Sequence, residues 1–226
     1  HFIVIMELFM SLKKLTDSIH KKAEQTKWSQ HLVSGNITED QYGQYLYNLS
    51  YIYSTIENGA NKYGLFKENP DLKWIKRVNN LFLDLGWFKY EIGYEESTLK
   101  YGEYISSLDR EGILAHMYVR HFGDMYGGSI VAKKIMKIEE TSRYKRMIKN
   151  VKEEQKKDST IGLPIMDGDE HIQLYSFKND ETGEDMKKTL KEQMRALLNI
   201  GMADEALMAF KFAIDLFHDL EKRFDL

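Results

Sequence analysis

The sequence has no cysteine and only two prolines. Without cysteine there can be no disulfide, no thiolate nucleophile, and no cysteine-held zinc, iron–sulfur cluster or thioether-linked haem. So few prolines, with long stretches free of turn residues, predict a mainly helical protein. No apolar run approaches the roughly 20 residues that span a bilayer. The opening HFIVIMELFM also lacks a basic leader and a small-residue cleavage site. It is read as an extension, residues 1–10, ahead of one domain over residues 11–226. A formal net charge of −3, from 32 basic and 35 acidic residues, offers no basic excess for nucleic acid. The expectation is a soluble, cytoplasmic chain with no membrane anchor. Its 226 residues, 42% hydrophobic, suffice for one sizeable core.

Leu12, Leu15, Ile19, Ala23, Trp28 and Leu32 recur at helical spacing, predicting one helix from Ser11 to about Val33, ended by Gly35 and Asn36. TEDQ, Thr38 to Gln41, is a capping-box start for a second helix through Tyr42, Tyr45, Leu49, Tyr53 and Ile56, with a turn over Gly59 to Gly64. Asn69 as cap and Pro70 at the first helical position predict a third helix to Leu85. Residues 87–101 are tyrosine-rich and ambiguous. A short helix over Tyr104 to Leu108 then leads into a long one, Gly112 to about Lys157. Residues 158–186 are polar and read as a loop or insertion with one strand-like piece, HIQLYSF. Met186 to Leu198 and Ala203 to Phe224 are two closing helices. Between Lys133 and Lys157, ten basic residues against four acidic ones describe either a solvated face or a docking face for an acidic partner.

The stretch YVRHFGDMYGG is unusual for a helix interior. Three interior glycines, Gly123, Gly127 and Gly128, together cost about 2–3 kcal/mol relative to alanine. They bare backbone along one side, either for close helix packing or for something flat and bulky. Asp124 within that stretch could hold a water or relay a proton, and Arg120 four residues earlier could pair with it. Among seven histidines, His20 has Glu24 four residues on, so that a carboxylate could fix the ring tautomer and improve the other nitrogen as a metal ligand. His31, His116, His121, His171 and His218 have no such companion in the sequence. No His-Glu-x-x-His, phosphate loop, serine elbow or paired Glu-x-x-His occurs.

Together these pieces resemble the heme oxygenase family. LKKLTDSIHKKAEQTKW is similar to the family's first helix, which makes His20 the match for the proximal heme ligand and Glu24 its partner. LAHMYVRHFGDMYGG resembles the glycine–aspartate helix on the distal side. NLSYIYSTIE places Tyr53 near the distal pocket, and YISSL places Tyr104 on a second network tyrosine. KEQMR matches a Lys-x-x-x-Arg pair, Lys191 and Arg195, and AFKFAIDLFHDLE the closing helix. Correspondence covers residues 11–60, 101–137 and 188–221.

The resemblance implies an all-α, single-domain, multi-helix bundle with heme between its proximal and distal helices. Heme would be both cofactor and substrate, cleaved with O2 and external electrons to biliverdin IXα, carbon monoxide and ferrous iron. Asp124, with Arg120, Tyr53 and Tyr104, would route protons, and Gly123, Gly127 and Gly128 would leave room for the porphyrin. Lys13, Tyr118, Lys191 and Arg195 would hold the propionates; Phe210 and Phe217 match pocket walls, although core packing would explain them equally well. Ferredoxin is the implied electron donor, docking near Lys21 and Lys22, and a bilin reductase a possible downstream partner. Tyr126, Ser129, Met194 and Ala213 depart from the family pattern. A noncatalytic heme carrier or sensor on the same fold would keep His20 without needing Asp124 or the glycines. A similar bundle acting on a thiamine-like molecule would normally need a cysteine nucleophile or a dedicated carboxylate site.

Overall fold

The computed structural model describes residues 2–88, 90–139, 172–179 and 181–226, with side chains from Leu12 onward except those of residues 129 and 136–139. Nine α-helices are described: α1 Phe2–Glu24, α2 Lys27–Ser34, α3 Glu39–Lys62, α4 Leu65–Glu68, α5 Val78–Leu85, α6 Glu96–Ser107, α7 Arg110–Glu139, α8 Lys187–Leu197 and α9 Ala203–Arg223. Short 3₁₀ turns occupy Pro70–Ile75, Gln173–Tyr175 and Ile200–Met202. Among the described residues there is no strand, only an isolated bridge between Lys178 and Asp185. The fold is all-α, as composition and periodicity predict.

The helix starts that depend on neighbouring residues fall where the sequence puts them. The Thr38 hydroxyl accepts from the Gln41 amide while the Gln41 side chain accepts from the Thr38 amide, closing the capping box of α3. Other boundaries shift. Helix α1 begins at Phe2, so its backbone crosses residue 10 without a break. The single helix expected from Ser11 to Val33 is broken at Gln25 and Thr26, and Thr26 caps α2 through the Ser29 amide. Its second free amide, that of Trp28, donates to Glu221 Oε1 of α9 at 2.8 Å.

Gly59 lies inside α3 rather than in a turn; a methyl there would sit 2.5 Å from Ile113 Cδ1, so its bareness lets α7 approach. The helix expected over 70–85 is split at Lys76 and Arg77. There the buried Glu57 carboxylate accepts the Arg77 and Val78 amides at 2.5 and 3.3 Å and so starts α5 from another helix. The short helix expected at 104–108 is the end of α6, which begins at Glu96. The strand-like HIQLYSF contains a 3₁₀ turn, and Leu174, Tyr175 and Phe177 are core residues rather than loop. The basic run beyond residue 139 lies outside the described residues.

Helix α3 is the central member, packed on α5, α6 and α7, while α9 packs on α1, α2, α6 and α7. Trp28 is fully buried between the rings of Tyr45 and Phe224, which ties α2 and the end of α9 to α3. Helices α1 and α7 both rest on α9, with no comparable packing between the two of them. No helix among the described residues is long and apolar enough to cross a membrane.

Candidate active site

On α1, His20 presents a side chain that is 51% exposed, and its Nδ1 lies 3.5 Å from Glu24 Oε1. Phe210 of α9 stands edge-on to the imidazole, 5.5 Å between ring centres. One ring nitrogen thus lies beside a carboxylate, and an aromatic edge stands against the ring. The residue type and exposure suit it to a metal held from outside the protein.

On α7, Gly123 and Gly127 face open space: a methyl on either would meet nothing within 4 Å. Ile130, the next residue on that side of the helix, is 54% exposed and Tyr126 is 48% exposed. This side of α7 is therefore bare backbone bordered by exposed apolar groups, the surface a flat apolar molecule would cover. Gly128 differs. A methyl there would overlap the ring of Tyr175, so its bareness serves contact within the protein.

Asp124 joins the two sides of α7. Its Oδ2 accepts a hydrogen bond from the Tyr53 hydroxyl of α3, which also donates to the Arg120 carbonyl at 3.0 Å. Burial raises the Asp124 carboxyl above the usual carboxylate range, while the nearby Arg120 charge and the Tyr53 hydroxyl pull it back. Burial and the Asp124 charge hold Tyr53 well above an ordinary phenol, keeping it a donor. The Arg120 guanidinium is buried with Nε lacking a hydrogen-bond partner, and lies 6.0 Å from the Tyr53 ring centre. Its influence on Asp124 is thus one of charge more than of the close pair that spacing suggests.

Tyr104 does not join this group. Its hydroxyl donates to Glu205 of α9 at 2.9 and 3.1 Å. The neighbouring Tyr101 is the buried tyrosine that feels the Arg120 charge, and its hydroxyl bonds His116 Nδ1 at 2.7 Å. His116 Nε2 in turn lies 3.3 Å from Glu205. His121 is fully buried 3.5 Å from Glu57 with its ring edge-on to Tyr53. Sequence reasoning missed Tyr101, His116, His121, Glu57 and Glu205. Their partners are 15 to 101 residues distant in sequence, and no local spacing signals them.

The cationic candidates sit at the margin. Lys13 is exposed on α1. Lys191 of α8 lies over the Tyr126 ring, 5.2 Å from its centre, and the Arg195 charge acts on the half-buried Tyr118. Phe210 is half-buried and packs on Val119, Ala206 and Ala209, whereas Phe217 is buried against Tyr45 at 6.1 Å, a core position. Ala213, where the resemblance implies a network asparagine, is buried and contributes no polar atom.

Comparison with known proteins bears on the family and the fold. A sequence model of the family described as heme oxygenase matches residues 6–219. Heme oxygenase 2 of Oryctolagus cuniculus is 24% identical over 230 residues, covering 93% of this chain and 65% of that protein. Heme oxygenase 1 of Bos taurus is 23% identical over 234 residues, covering 95% of this chain and 72% of that protein. The chain thus spans about two thirds of the length of these mammalian relatives. Among solved structures, heme oxygenase-1 of the cyanobacterium Synechocystis in complex with heme has a TM-score of 0.70 at 21% identity, covering 95% of this chain and 92% of that one. Heme oxygenase from Leptospira interrogans has a TM-score of 0.66 at 22% identity, over 91% of this chain and 96% of that one. With a family match that runs almost from end to end, and a helix order that carries the histidine first and the glycine–aspartate stretch later, this chain belongs to the heme oxygenase family.

Proposed function

We propose that this chain binds heme between α1 and α7 and cleaves it, using O2 and externally supplied electrons, to biliverdin, carbon monoxide and ferrous iron. The observation that carries this reading is the open backbone at Gly123 and Gly127 with Asp124 beside it, on a helix that shares its support, α9, with the helix of exposed His20. The residues suit the group: an oriented imidazole, a bare apolar face and cations at its margin. The Synechocystis relative is in complex with heme, which supports heme as the ligand here.

When bound, heme supplies the iron at which O2 is activated and the meso carbon that is oxidised. His20 would ligate that iron, with Glu24 setting the tautomer and the Phe210 edge limiting rotation of the ring. Gly123 and Gly127 would give clearance and leave no oxidisable side chain beside the reacting centre. Asp124 would hold and deliver protons on the distal side. Its affinity for a proton, raised by burial, suits a proton donor, and Tyr53 keeps the carboxyl aimed. Lys13, Tyr118, Lys191 and Arg195 would hold the propionates and so set which meso carbon is presented, the α carbon in this reading. A ferredoxin docking near Lys21 and Lys22 is the proposed donor, a bilin reductase a consumer of the product, and the cytoplasm the proposed location.

The test is direct. Purified protein is mixed with hemin, given reduced ferredoxin or ascorbate in air, and followed by visible absorbance. A Soret band that decays as a broad red bilin band grows supports cleavage. A stable Soret band with an active donor marks a carrier or sensor, and no Soret band at all removes the heme reading.

A further inference from the structure

We infer that Tyr175 is a positioning residue that seats the distal helix, and that Gly128 is bare for Tyr175 and not for heme. The inference rests on the proposed heme site only for its consequence; its basis is the packing behind α7.

The segment Ile172 to Phe177 is held from behind with unusual completeness. Asp84 of α5 accepts the backbone amides of Gln173 and Leu174 at 2.7 and 2.8 Å. Asn80 donates to the Gln173 carbonyl at 2.6 Å, and the buried Arg77 guanidinium donates to the carbonyls of Leu174 and Ser176. Arg77 also lies over the Phe177 ring, 3.9 Å from its centre. A segment fixed through both its amides and its carbonyls has little freedom to yield.

What this frame presents to α7 is the Tyr175 ring, which lies on Gly128 so closely that a methyl there would overlap it. Three contacts therefore pin the back of α7. They are the buried His121 ring edge-on to Tyr53, Asp124 accepting from Tyr53, and Gly128 under Tyr175. The glycines that face open space, Gly123 and Gly127, alternate with these anchors. Seating α7 from behind fixes how far its bare side, at Gly123 and Gly127, stands out from the core, and holds Asp124 beside it.

A double-mutant cycle tests this in the full chain. Gly128→Ala is made in the native background and in Tyr175→Ala, and two properties are measured in all four proteins. One is amide hydrogen exchange of residues 121–128 without heme. The other is the affinity for hemin, together with the Soret maximum of the complex. The helix-propensity gain of alanine is common to both backgrounds and cancels. In the native background the overpacked site is expected to raise exchange of 121–128 and to weaken hemin binding by about tenfold. In the Tyr175→Ala background the same change is expected to alter exchange and affinity by less than about twofold, the limit of additive behaviour. An equal loss of hemin affinity in both backgrounds would assign Gly128 to heme clearance and overturn the inference. So would unchanged exchange in Gly128→Ala. If the native protein fails to bind hemin, the proposed function falls, and the exchange arm alone still decides whether Tyr175 seats α7. Tyr175→Phe, which keeps the ring, is expected to retain native exchange; a loss equal to that of Tyr175→Ala would overturn the role given to the ring.

Discussion

His116 and Tyr101 share a 2.7 Å hydrogen bond in a fully buried site, with Glu205 3.3 Å from the other ring nitrogen of His116. Burial dominates over that carboxylate, and the His116 imidazole is pushed down to about 4. The folded state therefore favours the neutral ring. Its contribution is complete above about pH 6.5 and is lost as pH falls toward 4, by roughly 3 kcal/mol in all. Denaturant titrations over this range should show His116→Gln lacking that acid loss.

Asp84 acts with the opposite sign. Burial pushes its carboxyl up to about 7 despite the two backbone amides it accepts. The folded state binds this proton more tightly than the unfolded chain does, so stability falls as pH rises from about 4 to 7, by roughly 4 kcal/mol at most. In the native protein the two groups offset each other between about pH 4 and 6.5. Asp84→Asn should therefore show steeper loss in acid than the native protein, and His116→Gln should gain stability there. Parallel slopes in all three proteins would contradict both assignments.

Asp124→Ala is expected to retain hemin binding while bilin formation falls at least tenfold and peroxide is released instead, because the proton route is removed and the iron ligand is not. Peroxide and bilin yields measured together check this; bilin at the native rate would remove Asp124 from the proton route.

His20→Ala should lose the native Soret position, and added imidazole should restore it. The ring is open on α1, with Glu24 and the Phe210 edge beside it. Native absorption without imidazole would move the iron ligand to another residue.

Glu57→Ala leaves the Arg77 and Val78 amides without their buried acceptor and removes the partner of His121. A loss of about 2–4 kcal/mol in unfolding free energy is expected, the scale of a buried charged acceptor taken from its donors. Chemical denaturation measures it, and a change under about 0.5 kcal/mol, typical of a surface site, would refute it.

Features set by residues one to four positions apart were readable from the amino-acid order. Thr38 and Gln41 close a capping box, His20 and Glu24 share a helix face, and Gly123, Asp124 and Gly127 stand together on α7. The helix breaks at residues 25–26 and 76–77 were not readable. The acceptors that start α2 and α5 include Glu221 and Glu57, and no window around Trp28 or Arg77 contains them. The same reason hid Tyr101, His116 and Glu205, which meet only when α6, α7 and α9 are packed. Resemblance points to Tyr104, but it does not tell which tyrosine of α6 turns inward, and the buried one is Tyr101. Gly128 was grouped with Gly123 and Gly127 because spacing reports a shared helix side, not what occupies the space against each one.

The contact between Trp28 and Glu221 spans 193 residues, and that between Ser97 and Asp219 spans 122. Ribosomal synthesis delivers the amino end first, so α2 and α6 each wait with an unsatisfied amide until the last turns of α9 emerge. Closure of α2 and α6 onto α9 therefore waits on the last turns of that helix. A nascent chain halted before residue 219 would hold most of the helices and neither clasp.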